Sequence, residues 1–380
     1  MVIDWRTRLG YYEVGPYIFM NKSRALVYAS QHKLPVRWNF NDVAYSSIDW
    51  KTPIIPSLQE LYSSRAKQIR NKYDYIVLYY SGGADSTQVL HSFIDNGIFL
   101  DEIVMQYPKP MEKYFNNTST DNNNYFSEIK FSAEPHLKKV AHLIHSDTKI
   151  RYRDQSEDTF SLFNQDDWHE KYPISTLITP AGAGRQISAI NDPELHRLYE
   201  KGKTVCQIMG VDKPCVTFNG QEYVFNFVDA NATHAVPTDF YLGDIASKYF
   251  FLEFFFWTPD FPEIVVKQVQ EIKKAAETNI TLQEFLRSPG SSQNLDLVRS
   301  FFHPIIYNYE ANSLVFQVKK PSNKVFRPMD SWFWGSATED QKQNYLGVIQ
   351  FFESKIDPKY FKLGTVYNGL NSISSRSYFV

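Results

Sequence analysis

The stretch Tyr75-Ile-Val-Leu-Tyr-Tyr-Ser-Gly-Gly-Ala-Asp-Ser-Thr-Gln-Val-Leu90 decides how this chain is read. The apolar run from Tyr75 to Tyr80 is short enough for one buried strand. Ser81, Gly82, Gly83, Ala84, Asp85, Ser86 and Thr87 follow it. Val89, Leu90, Phe93 and Ile94 then recur at helical spacing, with Gly97 as a stop. The unit is strand, glycine-rich turn, helix.

Such a turn can hold an anion. Gly82 and Gly83 let the backbone approach a ligand closely and adopt positive φ. The first amides of the helix have no acceptor inside it, and its N-terminus carries roughly half a positive charge. Phosphate is the usual occupant of such a site. Ser81, Ser86 and Thr87 add hydroxyls. Asp85 would repel a phosphate unless a cation lay between them, which points to Mg²⁺, a hard ion that bridges carboxylate and phosphate oxygens. The same residues also read as a plain glycine turn with a capping Ser or Asp.

Two better-known loops do not fit. The Walker loop needs a Lys after its last glycine, and the dinucleotide turn needs G-x-G-x-x-G. Ser81-Gly-Gly-Ala-Asp-Ser86 instead resembles the SGGxDS signature of the PP-loop ATP pyrophosphatases, complete over its six positions. Asparagine synthetase (its C-terminal domain), argininosuccinate synthetase, GMP synthetase, NAD synthetase and several tRNA-modifying enzymes belong to that superfamily. The resemblance spans roughly residues 50 to 215 and is sharp at the loop. It implies ATP and Mg²⁺ as ligands and attack of an acceptor oxygen on the α-phosphorus. Pyrophosphate then leaves, and a nucleophile displaces AMP.

Several absences narrow the chemistry that the resemblance implies. The two cysteines, Cys206 and Cys215, form no C-x-x-C pair. Paired cysteines of sulfur-transferring members, the zinc cluster of deazaguanine-forming members and the C-terminal cysteine of PAPS reductases are therefore missing. Val2 stands where glutamine-dependent asparagine synthetases carry a catalytic cysteine. An AMP-forming C–N ligase using ammonia or an amine is the expectation, with the acceptor unidentified. A nucleotide-binding module with a degenerate site and a nucleic-acid base-modifying enzyme are the alternatives. Net charge of −2 and the lack of a basic stripe speak against nucleic acid as partner. Few cysteines and no leader-like start at Met1–Arg6 fit a cytoplasmic setting. The most apolar run, Tyr249 to Trp257, is too short for a membrane span.

Outward from the loop, Ser57 and Glu60 form a capping box that opens a helix to about Asn71. Arg65, Lys67, Arg70 and Lys72 read as its solvated face. Residues 1–56 read as a small β-rich or irregular prelude broken by prolines. Leu100 to Tyr107 is a second strand. The family resemblance places Val104 and Met105, with Gln106 nearby, beside the adenine, while Met105 also reads as core. Phe131 to Ile144 is helical in pattern, Thr148 to Arg153 alternates as a strand, and Ser175 to Pro180 is another short strand. Ala181-Gly-Ala-Gly-Arg-Gln186 then reads as a second glycine turn before a helix. Gly182 would allow close approach and Arg185 would pair with an anion, unless this is a plain connection. His142, His145 and His169 lack ligand spacing.

Val205 to Met209 forms a further strand, and Gly210-Val-Asp-Lys-Pro214 turns at its carboxyl end, where open α/β sheets bind ligands. Asp212 suits Mg²⁺ there, and the resemblance gives Lys213 the leaving pyrophosphate; an exposed turn lysine is the plainer alternative. Cys215 to Phe227 reads as a hairpin about Asn219-Gly220. The expected fold is α/β: a doubly wound parallel sheet of the PP-loop, HUP-like type over residues 57–235, after the prelude at 1–56 and before a helical, aromatic-rich domain at 236–380. In that last part Phe250 to Phe256 should be buried, and a long helix should follow Pro259 and Pro262. Asp260, Glu263 and Lys267 read either as substrate-facing or as ordinary first-turn residues beside the helix dipole, while Arg327 and Asp330 are candidates without an assigned role.

Overall fold

The computed structural model describes residues 5–115, 125–171, 179–210, 214–229, 246–288, 295–307, 330–362 and 369–380. At its centre is a five-stranded, all-parallel sheet: β4 (Tyr75–Tyr79), β5 (Glu102–Tyr107), β6 (Lys149–Asp154), β7 (Val205–Met209) and β10 (Phe250–Phe254), in the order β10-β7-β4-β5-β6. β4 is central and reads Tyr-Ile-Val-Leu-Tyr, with Ile76, Val77 and Leu78 fully buried. An unbroken apolar run of this kind suits a parallel strand covered on both faces. From β4 the chain steps outward through β5 to β6, and then returns to lay β7 on the other side of β4. The order reverses between β4 and β7, which leaves a crevice at their carboxyl ends.

β10 corrects the expectation of a helical region beyond residue 235. Phe250–Phe254 pairs with β7 in parallel register, Phe250 opposite Val205 and Phe254 opposite Met209. A short run that is apolar on every side does not distinguish a buried strand from a buried helix by periodicity. Helices do follow it: Glu263–Thr278, Ile280–Arg287, Leu295–Ile306, Ser331–Ser336 and Glu339–Lys355.

Arg65 also departs from its expected place. It lies on the helix Leu58–Lys72, behind the capping box that Ser57 and Glu60 do form. Its guanidinium is fully buried and donates to Glu253 of β10 (2.8 Å) and to the carbonyl of Phe254 (3.1 Å). Lys72 (2.8 Å) and the hydroxyl of Tyr73 complete the shell of Glu253. Burial alone would raise the Glu253 pKa, but Arg65 and then Lys72 outweigh it and hold the value at about 2. The cluster ties the edge strand to the helix that precedes β4.

A second assembly joins distant parts of the chain. β1 (Tyr11–Val14), β2 (Tyr17–Phe19) and β3 (Val36–Asn39) form an antiparallel sheet in the order β2-β1-β3, beside the helix Lys22–His32. The prelude is thus partly helical. The hairpin of β8 (Cys215–Phe218) and β9 (Tyr223–Asn226) turns through Asn219–Glu222 and gains a third strand from Tyr378–Phe379. Lys22 and Asp229 form a fully buried ion pair at 2.7 Å, with Tyr12 donating to the same carboxylate (2.8 Å). The rings of Phe40, Tyr45, Trp50, Phe225, Phe227 and Tyr378 pack around these strands, Phe40 against Phe227 at 4.6 Å and Trp50 against Tyr378 at 4.9 Å. Among the described residues, no helix is long and apolar enough to cross a membrane.

Arg65→Met should destabilise the fold by about 3–5 kcal/mol in urea unfolding at neutral pH, because Glu253 is left buried without its main counter-charge. The folded Glu253 pKa lies below its ordinary 4.5, so its contribution is complete above that value and is lost as pH falls toward 2. Adding Glu253→Gln to Arg65→Met should recover part of the loss.

Candidate functional site

At the carboxyl end of β4 the chain must leave the sheet and enter the helix Ala84–Ile94. The amide of Tyr80 makes one more ladder bond, to the carbonyl of Val104 (2.9 Å). Ser81, Gly82 and Gly83 then make the turn. Gly82 has φ +74°, a conformation that favours glycine. A Cβ there would lie 2.5 Å from the backbone nitrogen of Ala133 and 2.7 Å from its Cα. Gly82 is therefore pressed against the π-helical segment Ile129–Ala133, and Ser132 Oγ donates to the Gly82 carbonyl (2.6 Å). Such wide turns recur at functional sites.

The turn is braced internally. Gly83 donates its amide to Ser81 Oγ (3.2 Å), and Ser86 Oγ donates to the Gly83 carbonyl (3.1 Å). That bond uses the one hydroxyl proton of Ser86, so in the 3.3 Å contact between Ser81 and Ser86 the donor is Ser81. Gly83 is the cap residue and has no side chain with which to cap the helix. The amides of Ala84, Asp85 and Ser86 have no acceptor within the helix, so the macrodipole's positive end faces the turn.

The turn opens into a cavity of about 200 Å³. Its walls come from the ends of three adjacent parallel strands: Tyr79, Tyr80, Ser81, Gly83, Asp85 and Ser86 after β4, Val104 and Gln106 from β5, and Gln207, Met209 and Gly210 from β7. Glu128, Ile129 and Arg185 close the sides. Gly210 sits directly on the turn; a Cβ there would lie 2.9 Å from the carbonyl carbon of Asp85. Two acidic residues, an arginine, two serines and two glutamines thus line one crevice at the reversal of strand order. The carboxylates of Asp85 and Glu128 are oxygen donors of the kind a hard cation takes together with phosphate oxygens. Among the described residues, no group of three or more His, Cys, Asp or Glu could hold a metal by itself.

Ser81, Gly83, Asp85, Ser86, Val104, Gln106 and Arg185 are brought together on the cavity wall. Gly82, Ala84 and Thr87 shape the turn without lining it; Thr87 is fully buried, its hydroxyl 3.2 Å from that of Tyr80. Met105 is buried in the core, because neighbours along a strand point to opposite faces and Val104 and Gln106 take the cavity side. Gly182 requires correction. Residues Ala181–Gln186 are not a turn but the body of the helix Pro180–Ile190. Thr179 caps that helix, and its Oγ1 takes the Gly182 amide (3.0 Å). Arg185, one turn further on, reaches the cavity, and its carbonyl accepts from Gln106 Nε2 (2.9 Å). Asp212 and Lys213 lie outside the described residues, as do Arg327 and all but the end of the expected strand at 175–180.

Gly210 opens the turn expected to meet a ligand and lines the cavity, whereas Glu128, Gln207 and Tyr307 were not foreseen. Gln207 carried a signal, being a polar residue within the apolar strand Val205–Met209, and it is 3% exposed. Gly210 directly follows that strand. Glu128 precedes an irregular turn with no distinctive spacing. The hydroxyl of Tyr307 donates to Asp85, a contact across 222 positions that local pattern does not report.

Behind the turn, His136 Nε2 lies 3.0 Å from His91 Nε2, while His91 Nδ1 faces Asp95 (3.0 Å). Burial, then the charges of His91 and Lys139, lower the His136 pKa to about 4. No family model matches the chain, and no curated protein is significantly similar to it.

Gly82→Ala should cost more than Gly97→Ala. Both sites have positive φ, worth about 1–3 kcal/mol of strain, but a Cβ at Gly97 meets nothing within 4 Å. Urea midpoints of the two variants report the difference. His136 has a folded pKa below 6.5, so the stability it contributes as a neutral group is complete above that pH and is lost as pH falls through about 4. Thermal melts should show the native chain losing stability relative to His136→Gln as pH falls from 6.5 toward about 4.

Proposed function

We propose that this chain is an ATP-dependent ligase of the PP-loop type, which adenylates an acceptor oxygen with release of pyrophosphate, after which ammonia or an amine attacks the activated carbon of the acceptor and displaces AMP. The observation that carries this reading is the position of Ser81–Ser86. The turn matching the SGGxDS signature opens into a crevice at the carboxyl ends of β4, β5 and β7, where the strand order of a parallel sheet reverses.

The chemistry asks little covalent work of the protein. In this reading the helix amides at Ala84–Ser86, with Ser81 and Ser86, receive the triphosphate. The wall formed by Val104 and Gln106 borders the base. Arg185, whose carbonyl Gln106 contacts, meets a carboxylate or phosphate oxygen. Asp85, with Glu128 as a second oxygen donor, would hold Mg²⁺, which supplies charge neutralisation on the phosphate oxygens. Holding the reacting oxygen near the α-phosphorus supplies the remaining rate enhancement. An acceptor carboxylate is already ionised and needs no general base. Asp212 and Lys213 follow β7 in sequence and are the residues to which this reading gives a second cation contact and the departing pyrophosphate.

Calorimetry should detect magnesium-dependent binding of ATP, and α-labelled ATP should yield AMP when a panel of carboxylate acceptors with ammonia contains the right partner. Asp85→Asn should lower that turnover by about 10²–10³-fold, the loss typical of removing one electrostatic contact, with native circular dichroism. Binding without turnover across a broad panel would favour a nucleotide-binding module instead. Unchanged turnover in Asp85→Asn would remove Asp85 from the site.

A further inference from the structure

Asp85 is also gripped from a distant part of the chain. Tyr307, directly after the helix Leu295–Ile306, donates its hydroxyl to Asp85 Oδ1. Tyr307 is 5% exposed. Its ring lies 5.9 Å from that of Phe256, just beyond β10, and 5.1 Å from that of His303. Its amide donates to the His303 carbonyl (3.0 Å). The carbonyl of the preceding residue, Ile306, accepts from the hydroxyl of Tyr62 (2.6 Å), which in turn accepts from Gln268 Nε2 (2.8 Å). Helices Leu58–Lys72 and Glu263–Thr278 therefore fix the point from which Tyr307 reaches the turn.

A phenol orients a carboxylate without cancelling its charge. It fixes the plane of the group and leaves it negative, which is what a cation-binding carboxylate requires. We propose that Tyr307 is a positioning residue for Asp85, which sets that carboxylate for a nucleotide-bound divalent cation and makes the site depend on docking of the helix Leu295–Ile306. The inference rests on the ATP-binding reading above.

The test is calorimetric binding of ATP to the full chain, with Mg²⁺ and with chelator. Tyr307→Phe should leave metal-free affinity within about twofold of native and lower affinity in Mg²⁺ by about tenfold or more, the scale of a hydrogen bond to a charged group. In an Asp85→Asn background the same change should have no further effect on the magnesium-dependent part. Equal weakening with and without Mg²⁺ would assign Tyr307 a packing role and overturn the inference, as would no weakening at all. If near-ultraviolet circular dichroism shows that Tyr307→Phe is not native, Tyr62→Phe takes its place. That variant frees the Ile306 carbonyl without touching Asp85 and should give the same split, in smaller measure; an equal loss in both conditions again overturns the inference. Native protein that binds ATP while the variants show no split rejects Tyr307 and leaves the parent reading standing. Native protein with no magnesium-dependent binding removes both.

Discussion

Backbone lies on backbone at two points beside the loop, and the rest of the site depends on that closeness. Gly82 presses on Ala133, and Gly210 presses on the main chain of Asp85. Neither position has room for a methyl group. The first contact seats the π-helical segment Ile129–Ala133 against the turn, and the second brings the end of β7 onto the start of the helix Ala84–Ile94. The crevice is the space left between these fixed points. It lies where β4 and β7 diverge in connection, so a sheet topology and two glycines together determine where the crevice opens.

Buried charge plays a different part. Arg65 with Glu253, and Lys22 with Asp229, each join segments far apart in the chain. Taking such pairs out of water costs several kcal/mol per ion, and the attraction regained does little more than offset it. Their effect is better described as selection. Glu253 lies on a strand of phenylalanines and leucine that could pack in several registers. Only a register that brings its carboxylate to Arg65, Lys72 and Tyr73 avoids a stranded buried charge. Lys22 and Tyr12 constrain Asp229 in the same way.

The sequence was most legible where local pattern and tertiary role agree. The Tyr75–Leu90 unit, the capping box at Ser57, and strands β5 and β7 follow from short apolar runs and their punctuation, and β6 from its alternation. Where two structures share one pattern, legibility fails. Phe250–Phe254 is apolar on every side and could be read as buried helix, while its partner β7 lies some 45 residues earlier. Ala181–Gln186 contains the glycines of a turn, yet Thr179 caps a helix there and Gly184 is required because a Cβ would collide with Thr159. Arg65 lies among basic residues that suggest a wet face, and only the fold reveals the acid it meets. At the site, the turn residues and Arg185 were readable as types that bind anions. Glu128 and Tyr307 were not, because their nearness to the turn is set by tertiary packing alone.

The small antiparallel assembly has a consequence for biosynthesis. Tyr12, Lys22, Asp42 and Trp50 emerge early from the ribosome, but their partners are Asp229 and Tyr378. Tyr378 pairs with the hairpin at Phe225 and lies across Trp50. The covering of the amino-terminal rings is therefore staged: Phe225, Phe227 and Trp257 arrive first, and the face of Trp50 that Tyr378 stacks on is closed only once residue 378 has been made. Closing so long a span is slow relative to local folding. During elongation this early-made end therefore keeps an aromatic seam that only the last-made residues close.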